Sequence, residues 1–258
     1  MVADLSASAY LVDGVDLASA SVKLTHDGSG LWTGSAENIG VTTFPGLSGG
    51  GIEGGVFPPY LRSTMYLIRG TNYDDVLASI RALRRRCKPG LTVILSRTMP
   101  DPEGGASNTT QTVTARRQDD RIDWPSETVA TLDIDWLITG GPWLGTSINI
   151  ASAAGAHAIL GDLPTRAMTI TLAAGAARTV TNTVGGVVVA EFTFNATVPT
   201  GGVVVDVVAK TAKAITGGTD LSSSLSWTKL HPMLLHPGSN TLTVSAGTAS
   251  IDYQPAYQ

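Results

Sequence analysis

Cysteine is almost missing from this chain. The single Cys87 in 258 residues cannot form an intramolecular disulfide or build a thiolate metal site alone. Charge is scarce too. Asp, Glu, Lys and Arg together make up 15% of the residues, well below the usual level of about 25%. That excludes a charge-rich disordered chain, a coiled coil and a long solvated helix. The 17 Lys plus Arg against 21 Asp plus Glu leave a net charge of −4, so the basic footprint of a non-specific nucleic-acid binder is absent. No uninterrupted apolar run approaches the roughly 18 residues of a membrane span, and no membrane partner is expected. The opening Met-Val-Ala-Asp-Leu has neither a basic nor an apolar leader region, so no secretory signal is expected. What remains is 43% hydrophobic residues and 29 glycines, with Thr, Ser and Val frequent. This composition predicts a soluble, β-rich chain with many turns.

The first half reads as strands, one helix and more strands. Tyr10–Leu17 carries an Asp13-Gly14 turn signal between apolar positions. Leu31–Val41 is strand-like but broken by glycines, and a Gly-rich loop is expected over Gly46–Gly55. Arg62–Arg69 alternates, with Tyr66 and Ile68 on one side and Met65 and Leu67 on the other. The helix is the clearest element. Asn72 is its N-cap, Asp74 and Asp75 favour the positive end of the dipole, and Arg84, Arg85, Arg86 and Lys88 suit the negative end. Val76, Leu77, Ile80, Leu83 and Cys87 form one apolar stripe, and Pro89-Gly90 stops the helix, which is expected over 73–87. Leu91–Ser96 leans toward strand and Met99–Asn108 toward a polar loop. Val129–Ile138 alternates without a break, placing Ala130, Leu132, Ile134, Trp136 and Ile138 on one face of a half-buried antiparallel strand.

Beyond it no helical pattern recurs. Met168–Leu172, Val188–Phe194 and Val203–Val207 alternate between the turn signals Gly185-Gly186, Pro199–Gly202 and Gly217-Gly218. Thr241–Val244 and Ser250–Tyr253 flank Ser245–Thr248 and read as a tight hairpin. Strands about every ten residues predict a sandwich or jelly roll. Two domains are therefore expected, 1–146 and 147–258.

Chemistry-bearing patterns are weak. Gly49-Gly50-Gly51-Ile52-Glu53-Gly54 matches G-x-G-x-x-G, but it runs into Val56-Phe57-Pro58-Pro59, which cannot open a nucleotide-binding helix. His231 and His236 each precede a proline, both are expected in irregular chain, and they lack a third metal ligand. There is no G-x-S-x-G elbow. Asp74/Asp75 answers to the helix dipole and Asp133/Asp135 to the solvent face of a strand, rather than to glycosidase chemistry. No catalytic residue, cofactor or metal site is nominated, and the chain is not expected to be an enzyme.

Three segments carry a likeness to a known family. They are Tyr66–Leu77 leading to the Lys88-Pro89-Gly90 stop, Trp136-Leu137-Ile138 followed by Gly141-Pro142-Trp143-Leu144-Gly145, and Leu234–Val244 with Ile251–Tyr257. Together they resemble the distal tail proteins, or minor tail proteins, of long-tailed siphophages. The resemblance implies a mainly β protein: an N-terminal β-sandwich or split-barrel domain with one α-helix, then a C-terminal galectin-like β-sandwich (jelly roll). It implies a virion component at the tail tip, a homo-hexameric ring around a channel. Its N-terminal domain would join the tail tube protein. Its C-terminal domain would support tail-tip, baseplate and receptor-binding proteins. Genomic DNA would pass without being bound specifically, since six copies would carry 6 × −4 = −24 formal charges.

For the ring that the resemblance implies, interface candidates can be nominated. Arg84, Arg85 and Arg86 could grip an acidic neighbour. The loops holding Gly49, Gly50, Gly51 and Glu53, and Asp101 and Glu103, could order on assembly. The alternative reading is a carbohydrate-binding β-sandwich with Trp227 as the glycan contact. A galectin-like polar cluster beside a tryptophan is missing from the residues around Trp227.

Overall fold

A computed structural model describes residues 10–19, 21–26, 38–43, 50–56, 60–100, 108–139, 141–227 and 233–257. The chain divides into two compact units, one ending at Trp143 and one running Leu144–Tyr257. No helix among the described residues is long and apolar enough to cross a membrane.

The first unit comprises β1 (Tyr10–Val12), β2 (Val15–Asp16), β3 (Val22–His26), β4 (Asn38–Thr43), β5 (Gly50–Val56), β6 (Tyr60–Arg69), α1 (Tyr73–Arg86), β7 (Thr92–Pro100), β8 (Asn108–Ser126) and β9 (Val129–Ile138). An antiparallel sheet in the order β2-β1-β7-β8-β9-β6-β3 curls as a half-barrel. Between β8 and β6 lies β9, where every second side chain is buried as the alternation requires. Ile68 lies opposite Ala130, Tyr66 opposite Leu132 and Thr64 opposite Ile134, so one face of β6 and β9 is continuous core. A one-residue slip would turn all of these to solvent, which is why the apolar pattern fixes the register. The Asp13-Gly14 turn has both residues at positive φ, 48° and 76°, as a two-residue hairpin with the strands' own twist demands.

The helix forms where its caps and stripe agree. Asn72 is extended, and its side chain accepts from the Asp75 N–H at 3.0 Å. The Asp75 carboxylate in turn accepts from the backbone N–H (3.2 Å) and hydroxyl of Thr71. α1 packs on β6 and β9 through buried Val76, Ile80 and Leu83, with buried Cys87 as its C-cap. Each such aliphatic side chain contributes about 1.5–3 kcal/mol on burial.

Two elements depart from the sequence reading. The segment from Gly50 is a strand, not a loop: β5 pairs with β4 as a separate ribbon, Thr42 opposite Gly51 and Gly40 opposite Glu53. Glycine signals a turn only because it tolerates many conformations, and here a partner strand supplies the ladder. The second departure is β8, 19 residues long, which no apolar pattern announces. It pairs with β7 over its first half and with β9 over its second, its register shifting between Arg117 and Asp119. The ladder to β9 holds its charged second half in strand form.

The second unit opens at the boundary strand β10 (Trp143–Leu144) and continues with β11 (Ile148–Ile150), β12 (Gly155–Ile159), β13 (Met168–Leu172), β14 (Arg178–Val184), β15 (Val187–Phe194), β16 (Val203–Asp206), β17 (Thr211–Ala214), β18 (Leu225–Ser226), β19 (Gly238–Val244), β20 (Ala249–Tyr253) and β21 (Ala256–Tyr257). Two five-stranded sheets, β11-β20-β13-β16-β17 and β12-β19-β14-β15-β18, form a sandwich. The core lies between them: Ile170, Leu172, Val203, Val205 and Ile251 from one sheet, Val180, Ala190, Phe192, Phe194 and Leu242 from the other. Gly185-Gly186 closes the β14–β15 hairpin at φ 58° and 83°. The segment Ser245–Thr248 does not close a hairpin. β19 pairs with β12 and β14, whereas β20 pairs with β11 and β13, so the turn crosses from one sheet to the other. Both flanking strands offer an apolar face to the same core, and a short connection cannot reveal which sheet the second strand joins.

Candidate functional site

α1 distributes its three terminal arginines to different surroundings, as a 100° turn per residue must. Arg84 is half-buried and ion-paired with Asp120 of β8 at 2.5 Å, and Arg117 approaches the same carboxylate at 3.7 Å. Arg117 also donates to the Arg84 carbonyl at 3.5 Å. Arg86 donates to the Asp16 carbonyl at 3.3 Å. Arg85 is exposed and makes no ion pair among the described residues. Of the run, Arg85 is thus the side chain most free to meet a partner, while Arg84 ties α1 to the sheet.

The other nominated residues are scattered. Gly50, Gly51 and Glu53 lie on β5, and Gly49, Asp101 and Glu103 fall outside the described residues. Trp227 is half-buried at the end of β18. Its ring lies 5.4 Å from that of Phe192 at 45°, packed against the sandwich core. An aromatic sugar platform needs an open ring face, and Trp227 has committed part of its surface to packing.

A surface the sequence reading missed gathers around the β1–β2 turn. Val15, Leu91 and Ile94 are each at least half exposed, at 50%, 60% and 53%. Around them, the Asp13 N–H donates to the Ile94 carbonyl, the Ile94 N–H donates back to the Asp13 carboxylate at 2.9 Å, and the Leu91 N–H donates to the Lys88 carbonyl, while Val15 lies opposite Val12 across the turn. Lys88 pairs with Asp13 at the centre. The Ile94 N–H and the Lys88 ammonium hold the Asp13 carboxyl below the usual carboxylate range. The β1–β2 turn region thus carries three exposed apolar side chains and one ion pair, with Arg86 bonded to the neighbouring Asp16 carbonyl. In sequence its members are separated by about 80 positions, so no local window could have joined them.

Two polar arrangements explain motifs from the sequence. Arg97 is buried on β7, donates from Nε to Gln111 at 2.8 Å, and lies 4.2 Å over the Trp143 ring. The Pro-Trp exit of the first unit is therefore anchored by a cation–π contact. In the second unit, buried Asn240 donates to the carbonyls of His236 (2.6 Å) and Gly238 (3.0 Å) and accepts from the His236 N–H (3.1 Å). Buried Asn182 donates to Asn240 and to the Leu234 carbonyl, both at 2.7 Å. The buried amide pair thus staples the first residues of β19 to the chain that enters it at Leu234–His236.

An open depression of roughly 570 Å³ at the start of α1 is lined by Ser21, Arg69, Thr71, Asp75 and Ser79, with Asp75 already engaged in the cap. Among the described residues, no three His, Cys, Asp or Glu side chains come together as metal ligands would. Burial pushes the Cys87 thiol up to about 12, opposed in part by Arg117, which makes it a poor nucleophile.

No protein-family model and no curated protein matches the sequence. Among solved structures, the chain shares its fold with the SPP1 Dit (gp 19.1) protein, described as a paradigm of the hub adsorption apparatus in phages infecting Gram-positive bacteria. The TM-score is 0.71 at 15% identity, over 97% of this chain and 99% of that one. A chain of the phage P2 baseplate, in its activated conformation with Ca, matches at TM-score 0.47 and 12% identity, over 96% of this chain and 98% of that one.

Proposed function

We propose that this chain is a structural protein of a phage tail tip, a distal tail protein rather than an enzyme. Six copies close into a ring that joins the tail tube to tail-tip or baseplate proteins and leaves a channel for DNA. The observation that carries this reading is the fold shared with the SPP1 hub protein across 97% of the chain, which takes in both units. Residues 1–146 form the ring and meet the tail tube protein. Residues 147–258 project outward and support receptor-binding proteins.

The surface chemistry supports assembly. A cyclic ring of identical subunits needs two different complementary faces on each copy. The exposed group of Val15, Leu91 and Ile94 has the composition of one such face, apolar side chains around one ion pair with a charged rim. Exposed Arg85 and Arg86 extend that rim and suit an acidic neighbour.

The test is the mass of the purified protein in solution together with negative-stain electron microscopy. A six-fold ring of 6 × 26.7 kDa, about 160 kDa, supports the proposal. A chain that stays monomeric even when mixed with tail tubes, and that binds a glycan saturably until Trp227→Ala abolishes it, replaces the proposal with the carbohydrate-binding reading.

A further inference from the structure

β14 begins inside the second sandwich on a charged residue. Arg178 is 2% exposed, and the alternation that turns Val180 and Asn182 inward turns its guanidinium inward as well. Nε donates to the Ala176 carbonyl at 3.2 Å and Nη1 to the Thr248 carbonyl at 2.9 Å. Nη2 is buried and has no hydrogen-bond partner. Among the described residues no carboxylate pairs with Arg178, the ion pairs all lying in the first unit. Burying a charge without a counter-charge is costly, and such groups are ordinarily paired.

The guanidinium is covered by two glycine turns rather than by side chains. A Cβ on Gly247 would stand 2.6 Å from Nη1 and 3.1 Å from Nη2, and one on Gly175 would stand 3.2 Å from Nη2. The cover on the Gly175 side is Ala-Ala-Gly-Ala-Ala, residues 173–177, exposed throughout and carrying no side chain larger than a methyl. It is pinned to Val198 by two backbone bonds, 3.1 and 2.7 Å, and to the Thr248 carbonyl by the Ala173 N–H at 3.1 Å. Lifting it would break those bonds without withdrawing any buried side chain from the core.

We propose that Arg178 is an anion-binding residue at this end of the second sandwich, and that its ligand is a carboxylate. Charge count selects the ligand. One guanidinium with no second cation is neutralised by a monoanion, whereas a phosphate dianion would leave a net buried negative charge. The planar fork of Nη1 and Nη2 also matches a carboxylate in geometry. The site stands independently of the tail-tip reading and survives if that reading fails. A free small carboxylate and an acidic side chain of a neighbouring protein share this chemistry.

The experiment is an NMR titration of the full-length protein, following the Arg178 Nε–H and Gly175 N–H signals. Sodium acetate, sodium phosphate and sodium chloride are compared at equal ionic strength. A blocked Gly-Asp-Gly peptide is set against its Gly-Asn-Gly counterpart. The site predicts saturable shifts with acetate, phosphate weaker by about tenfold or more, none with chloride, and loss of the shifts in Arg178→Met. Tighter binding of the Asp peptide than of acetate assigns the site to a protein side chain, and the reverse assigns it to a free carboxylate. Shifts that grow linearly and equally in acetate and chloride overturn the proposal in the wild-type protein alone, even if the variant fails to fold.

Discussion

Cys87 and His236 show how burial sets the chemistry of single residues. Desolvation pushes the Cys87 thiol up to about 12, so a disulfide reagent at pH 8 should leave the native protein unmodified and label it once in denaturant. Reaction of the native protein within minutes would mean that the α1 C-terminus opens readily. His236 is held below the ordinary histidine value of about 6.5 by burial. Its unfolded form therefore binds protons that the folded form refuses. The stability it permits is present above about pH 6.5 and is lost as pH falls toward its depressed folded value. Urea unfolding of the second unit at pH 7.5 and 5.0 should show this decline, and His236→Gln should flatten it. The composition exposed Cys87 as a stripe residue. The burial of His236 was invisible, because it depends on the loop that Asn240 and Asn182 pin from two different strands.

At the scale of elements, α1 and β9 were legible because each carries its own evidence. The α1 caps, dipole charges and stripe fall within one local window, and β9 alternates for ten residues. Asn72→Ala removes the acceptor of the Asp75 N–H and should cost about 1 kcal/mol. Chemical denaturation would read this as a lower midpoint at unchanged slope, and no change would deny the cap its role. β8 was not legible, since Arg116–Arg121 has neither apolar period. It is a strand because β7 and β9 are there to pair with it. The turn at Ser245–Thr248 was recognised but misassigned, because a turn signal states that the chain reverses and not which sheet receives it.

For the whole molecule, the mainly β architecture with one helix is as the sequence implies, and the full-length likeness to the SPP1 hub protein agrees with it. The proposed ring would rest on surfaces, so the decisive variant is one that leaves the fold alone. Ile94 is 53% exposed. Ile94→Asp should change monomer stability by no more than about 0.5 kcal/mol while weakening ring assembly roughly tenfold or more, measured by mass photometry across a dilution series. An undiminished ring would place the subunit contact elsewhere. The sequence by itself determined which segments have a face to bury, where α1 starts and stops, and where the chain must turn, because these are local consequences of side-chain period and backbone permissiveness. Only the tertiary structure decided that β4 and β5 form a ribbon, that β19 and β20 part into opposite sheets, and that the β1–β2 turn meets β7 at Ile94. Each of these is a meeting of residues distant in sequence, and the free energy that selects it belongs to the contact rather than to either segment alone.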